Sequence, residues 1–163
     1  MAFSLRIATT SDAADVGRVT VQAYAQDGLL GLEDDYAGVL GDAVGRIEDA
    51  EVWVAEDERG ILGSVTFCRP GTPYSELSRG KEGEFRMLGV AHRARRQGVA
   101  AALVTRCIDR SRELGYTALV LCSMEEMGSA HRLYERLGFR RLPERDWSPV
   151  PDMLLLAFIR SVD

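Results

Sequence analysis

Apolar and polar positions alternate at the start of the chain. Phe3, Leu5 and Ile7 are apolar and Ser4 and Arg6 polar, the two-residue period of a strand over residues 3–8. Thr9, with Asp12 three positions on, forms a capping-box pattern that opens a helix over residues 11–25. Ala14, Val16, Val19 and Ala23 fall near one face of that helix, and Asp27 and Gly28 break it. Tyr36, Val39, Leu40 and Val44 recur at helical spacing and predict a second helix over residues 33–47, weakened by Gly38, Gly41 and Gly45. Residues 52–55 and 61–68 read as strands joined by a turn over 57–60, a hairpin. Pro70, Gly71, Pro73 and Gly80 make residues 69–81 a loop.

The second half repeats these periods. Residues 82–90 predict a strand. Val99, Leu103, Val104, Cys107 and Ile108 form the stripe of a helix over 99–114, with Gly115 as its C-cap. Residues 117–122 are almost all apolar, as in a central strand buried on both faces. A short helix over 129–137 stops at Gly138. A strand over 139–142, a loop over 143–151 and a last strand over 153–159 complete the chain. One strand, two helices, three strands, a helix, a strand, a helix and two strands imply a mixed α/β (α+β) single domain over residues 1–163, built around one sheet.

Composition narrows the function. The chain has 163 residues, 46% hydrophobic and 28% charged, ordinary for a globular protein. No apolar run reaches the roughly 18 residues of a membrane span, and the N-terminus lacks the pattern of a signal peptide, so a cytoplasmic location is expected. The net charge of -5 argues against nucleic acid as partner and suits a cationic acceptor such as an amine. Lys81 is the only lysine, which reads as compositional bias. Cys68, Cys107 and Cys122 are scattered and make no ligand cluster with His92 or His131, so neither a metal site nor a disulfide framework is expected.

The chemistry-bearing stretch runs from Glu84 to Leu103. A strand ends at Val90, a basic loop follows, and Gly98 leads into a helix. The first amides of a helix lack intrahelical acceptors and sit at the positive end of its dipole, and a glycine there lets an anion reach the backbone. Arg95 and Arg96 add charge suited to phosphate, and Ala100, Ala101 and Ala102 keep the helix start open. Spacing alone leaves a phosphate site and an ordinary helix start equally open.

Arg95, Gly98 and Ala100, within Val90-Ala91-His92-Arg93-Ala94-Arg95-Arg96-Gln97-Gly98-Val99-Ala100, resemble the cofactor motif of the GCN5-related N-acetyltransferase (GNAT) family, and Leu88-Gly89-Val90 resembles its upstream strand. A second segment, Ala130-His131-Arg132-Leu133-Tyr134-Glu135-Arg136-Leu137-Gly138-Phe139, is similar to the family's A-x-x-L-Y-x-x-L-G-F pattern at the usual separation. The resemblance implies a mostly antiparallel sheet of about seven strands with helices on both faces. It also implies a V-shaped opening between the strand ending at Val90 and the strand ending at Cys122. Acetyl-CoA, or coenzyme A, would lie in that opening. Its pantetheine arm would pair with Leu88, Gly89 and Val90, and its pyrophosphate would rest on Arg95, Arg96, Gln97, Gly98, Val99, Ala100 and Ala101. The implied reaction is direct acyl transfer, acetyl above all, to the amine of a small molecule or peptide, in a protein that could be a homodimer, as many relatives are.

The resemblance also implies roles. Tyr134 is the expected general acid for the departing thiolate, against the alternative of a packed core tyrosine. Glu84 is the expected general base, with Glu82, on the same strand face, as competitor. A backbone amide near Val90 would polarise the carbonyl. Met127 stands where the family often has Asn, and cannot make a strong hydrogen bond to the cofactor arm; Ser123 or Ser129 could substitute. Cys122 as an acyl-carrying nucleophile is disfavoured against a packed thiol. His131 and Arg132 read as surface residues, and Glu33, Asp34 and Asp35 as a solvated helix start. Trp147 could wall the acceptor pocket or plug the core. The rival reading is a coenzyme A-binding regulatory or structural domain without turnover. Acceptor specificity would lie in loops 28–35, 69–81 and 143–151.

Overall fold

In the computed structural model, residues 3–26 and 36–163 are described. Seven strands form one sheet. They are β1 (Ser4–Ile7), β2 (Glu51–Asp57), β3 (Gly60–Cys68), β4 (Glu82–Val90), β5 (Ala118–Met124), β6 (Arg140–Arg141) and β7 (Leu155–Ser161). Their order is β1-β2-β3-β4-β5-β7-β6, and the one parallel pair is β4–β5. Among the described residues five α-helices accompany it: α1 (Ala13–Gln26), α2 (Tyr36–Gly41), α3 (Val44–Asp49), α4 (Val99–Glu113) and α5 (Gly128–Arg136). This is the expected mixed, mostly antiparallel sheet of seven strands.

Strand alternation assigns the helices to opposite faces. A Cβ on Gly63 would meet Val99 and Leu103 of α4. The next residue, Ser64, has its hydroxyl 3.3 Å from that of Thr20 on α1. The main core lies on the α4 and α5 side, where Leu103, Val104 and Cys107 pack with Val65, Phe67, Phe85, Leu119 and Leu121. Val120, between Leu119 and Leu121, is buried in a separate cluster with Leu77 and Ala157. β5 is thus covered on both faces, which explains its nearly continuous apolar sequence.

The entry to α1 is fixed as its sequence implies. The Thr9 amide donates to Asp12 Oδ2 at 2.8 Å, and Arg6 brackets the same carboxylate at 2.8 and 2.9 Å. The expected helix over 33–47 differs. Within the described residues it is two short helices, α2 ending at Gly41 and α3 starting at Val44. Arg46, 1% exposed, turns back to the end of α2 and donates to the carbonyls of Leu40 at 2.8 Å and of Val39 and Asp42 at 3.1 Å. A buried guanidinium thus bonds the carbonyls at the end of a broken helix. Two boundaries also shift. The last strand begins at Leu155 rather than 153, and the strand over 139–142 shortens to Arg140–Arg141. Among the described residues, no helix is long and apolar enough to cross a membrane.

Candidate active site

Among the described residues, the only parallel pairing in the sheet is short. β4 and β5 are in register from Glu82↔Ala118 to Glu84↔Val120, although β4 continues to Val90 and β5 to Met124. Beyond Glu84 the strands part. On its other edge β4 carries a bulge against β3, where the register passes from Ser64↔Gly89 to Thr66↔Arg86. Met87, within the bulge, has a φ of 56°, in the left-handed region that non-glycine residues rarely adopt. Bulge and parting together open the sheet between residues 87–90 and the end of β5. α1 closes over this point because Gly89 has no side chain: a Cβ there would lie 3.2 Å from that of Ala23 and 3.3 Å from Thr20 Cα.

A cleft of about 800 Å³ occupies the opening. Leu88, Gly89 and Val90 line it at the strand end, Arg95, Arg96, Gly98, Val99, Ala100 and Ala101 at the loop and helix start, and Tyr134 on α5. The structure therefore gathers every expected cofactor-binding residue into one cleft except Gln97. The Gln97 side chain turns to its own loop, Nε2 donating to the Arg93 carbonyl at 3.0 Å. Arg93 in turn grips Asp57 of the β2–β3 hairpin at 3.1 and 3.2 Å, which anchors the loop.

The loop ends in two left-handed residues, Arg96 at φ 66° and Gly98 at φ 80°. Gly98 is the N-cap of α4, with no side chain to cap it, and its carbonyl accepts the Ala102 amide at 3.0 Å. Val99, Ala100 and Ala101 have no carbonyl one turn earlier within the helix, so their N–H groups suit an anion. A cradle of helix-start amides beside two arginines, continued by a groove along a strand end, fits a long ligand with a diphosphate.

Tyr134 is 3% exposed and set among Phe85, Phe139 and Phe158, with ring centroids 5.7–6.0 Å away in edge-to-face contacts. Each such pair stabilises by about 0.5–1.5 kcal/mol and fixes the ring. Burial, then the neighbouring Cys122, raise the phenol's pKa, so it stays protonated at neutral pH. Ser123 Oγ lies 3.1 Å from His131 Nε2 and 3.4 Å from Met127 Sδ. His131, read as a surface residue, is instead partly buried against the Phe158 ring at 5.1 Å. Burial pushes the Cys122 thiol up to about 12, so it holds almost no thiolate.

The two glutamates of β4 have other partners. Glu84 is fully buried. Its Oε1 accepts from the backbone N–H groups of Glu76, Leu77 and Ser78 at 2.9, 3.0 and 3.1 Å, and from the Ser75 hydroxyl at 3.2 Å. It lies where β4 and β5 are still paired and lines neither cavity described here. Glu82 is held by Arg145 at 2.9 and 3.0 Å. The expectation of a general base on β4 meets two carboxylates engaged in holding loops.

A second cavity, of about 420 Å³, meets the cleft at Tyr24 and Met127, which line both. Its described walls are apolar except for Ser123, Cys122, the phenol groups of Tyr24 and Tyr36, and one ion pair, Glu76 with Arg86, joined from Oε1 to Nε at 3.0 Å. Arg86 Nη1 also donates to the Tyr74 carbonyl at 3.0 Å. Burial raises the Glu76 carboxyl's pKa, Arg86 opposes this, and Glu84 reinforces it. Residue order gave no sign of Glu76, because it lies in a proline- and glycine-rich loop with no motif of its own. Pro149, Val150 and Met153 reach the cavity from the loop before β7, whereas Trp147 packs in the cluster of Leu77 and Leu142. The acidic run 33–35 and the loop 28–35 lie outside the described residues.

The comparisons with known proteins agree with this geometry. Residues 48–141 match the profile of the acetyltransferase (GNAT) domain. Human N-acetyltransferase 8B is 32% identical over 110 residues, 66% of this chain and 47% of that protein, so the match spans about half of that relative. Among solved structures, a GNAT-family acetyltransferase of Staphylococcus aureus superposes with a TM-score of 0.76 at 15% identity, over 99% of this chain and all of the other. An N-acetyltransferase of Thermoplasma acidophilum, solved with coenzyme A, gives 0.77 at 10% identity over 99% of each chain.

Proposed function

Because this chain belongs to the GNAT acetyltransferase family, we propose that it transfers an acyl group, acetyl, from acetyl-CoA to the primary amine of an acceptor held in the second cavity. The carrying observation is the meeting of the two spaces: a cleft that runs from the start of α4 past Tyr134 adjoins, at Tyr24 and Met127, a separate cavity with its own carboxylate. A bound acetyl-CoA supplies the acyl group as an activated thioester.

The residues of the chain do the rest. The amides of Val99, Ala100 and Ala101, with Arg95 and Arg96, hold the diphosphate. The backbone of Leu88, Gly89 and Val90 holds the arm, and an N–H of this segment polarises the carbonyl oxygen. Tyr134 keeps its phenolic proton until the C–S bond breaks, gives it to the departing sulfur, and is restored by the second proton of the attacking amine. We assign the base to Glu76 rather than Glu84, since Glu76 lines the acceptor cavity and Glu84 is turned into a loop. An ammonium and a thioester give an amide, a thiol and one proton, and Glu76 passes that proton to water. The free thiols of Cys68, Cys107 and Cys122 suit the reducing cytoplasm.

Calorimetry with coenzyme A and release of free thiol from acetyl-CoA test the reading together. Micromolar to millimolar binding and amine-dependent thiol release are expected. Binding without release for any amine would favour a regulatory coenzyme A-binding domain, and absence of binding would remove the reading.

A further inference from the structure

The acceptor cavity carries a recognisable charge pattern. Its described walls hold one anion and one cation, Glu76 and Arg86, and these cancel. The pair is largely enclosed, with side-chain exposures of 26% and 15%. An ammonium entering beside Glu76 competes with Arg86 for that carboxylate. The guanidinium then needs a second anion, since a buried charge left unpaired is costly. A polyamine would bring more cations than the cavity can pair, and a simple amine would leave Arg86 with neutral acceptors such as the Tyr74 carbonyl but no anion of the wall.

Glu76 Oε1 and Arg86 Nε are 3.0 Å apart, so a guest whose ammonium and carboxylate are close neighbours, as they are on one α-carbon, can meet both. Much of the remaining wall is apolar and adaptable. Met87, Met124, Met127 and Met153 line it, and methionine repacks easily around guests of different shape. Val39 and Val150, at its edge, are 46% and 50% exposed, which leaves an apolar rim at the mouth.

We propose that this cavity is a site for a free α-amino acid with an apolar side chain of methionine or phenylalanine size, the ammonium facing Glu76 and the carboxylate Arg86. The proposal rests on the acyltransferase reading for its chemistry but not for its binding. The product is the N-acyl amino acid, in which the ammonium charge is gone and the carboxylate remains. Glu76 then returns to Arg86 as the sole competitor for the guanidinium, which favours release.

Calorimetry without acetyl-CoA tests the site by itself. L-Phenylalanine and L-methionine are titrated into the protein beside 2-phenylethylamine, L-phenylalaninamide and spermidine. The amino acids are expected to bind about tenfold to a hundredfold more tightly than the compounds lacking the carboxylate, the range for one hydrogen-bonded charge. Equal or tighter binding of 2-phenylethylamine or spermidine, or no binding of either amino acid, would overturn the proposal. Arg86→Lys keeps the charge needed beside Glu76 and is expected to narrow the preference of phenylalanine over 2-phenylethylamine, read with circular dichroism as a check on folding. An unchanged preference in a folded variant would also overturn it. Thiol release is measured separately: amino-acid binding without turnover removes the transferase reading and leaves the site, whereas turnover of amines without a carboxylate preference does the reverse.

Discussion

Oε1 of Glu84 accepts the backbone N–H of Glu76 at 2.9 Å, so one buried carboxylate holds the loop from which another reaches the acceptor cavity. The same oxygen takes the next two amides of that loop as well. Glu84→Gln keeps an acceptor oxygen but loses the charge, and is expected to destabilise the fold by about 1–2 kcal/mol. A general base removed costs about a hundredfold or more in turnover. The variant should instead keep turnover within about tenfold of the parent, with an unaltered pH–rate profile. A profile that loses its acid limb in this variant, and not in Glu76→Gln, would return the base to Glu84.

Tyr134 is packed by three rings and remains protonated. Tyr134→Phe keeps the ring contacts and removes the proton. The turnover number is expected to fall about a hundredfold or more, while coenzyme A affinity changes by less than about threefold. Stopped-flow thiol release and calorimetry on the same preparation measure both, and unchanged turnover would make Tyr134 a core residue only.

Gly98 stands at φ 80°, and a Cβ added there would meet nothing within 4 Å. Gly98→Ala therefore costs backbone strain alone, about 1 kcal/mol. If the helix start relaxes to relieve it, the cradle opens. Coenzyme A should bind at least about tenfold more weakly while pantetheine, which lacks the diphosphate, binds as before. Equal weakening of both would place the diphosphate elsewhere.

Hydrogen bonds from Arg6 hold the Asp12 carboxyl well below the usual carboxylate range, against a smaller opposing effect of burial. A lowered folded-state pKa contributes stability that is present above the unfolded value of about 3.9 and is lost as pH falls below it. Melting temperature should be level between about pH 7 and 5 from this source and fall below about pH 4. Arg6→Leu should lower the plateau and flatten that fall, as read by thermal melts across the series.

The sequence carried the order of elements along the chain, because that depends on local rules, two- and 3.6-residue periods and turn residues, and the two spaced motifs carried the family and its mostly antiparallel sheet. It failed where partners are distant in the chain. The break between α2 and α3 is settled by Arg46 reaching back to Val39 and Leu40. The surroundings of Glu84 are made by amides of a loop with no periodicity. Glu76 and Arg86 become a pair only when that loop folds onto β4. The acceptor side of the site is thus assembled almost wholly from such contacts.

The short parallel seam between β4 and β5 has a mechanical consequence. Three residue pairs at one end join two half-sheets, β1–β4 and β5–β7–β6, and beyond them the strands act as the jaws of a peg. A ligand arm seated between the jaws supplies the rungs that the ladder lacks. Such an arm would add to the join that the core beneath α4 already makes between Phe85 on one side and Leu119 and Leu121 on the other, so that holding the ligand also stabilises the fold.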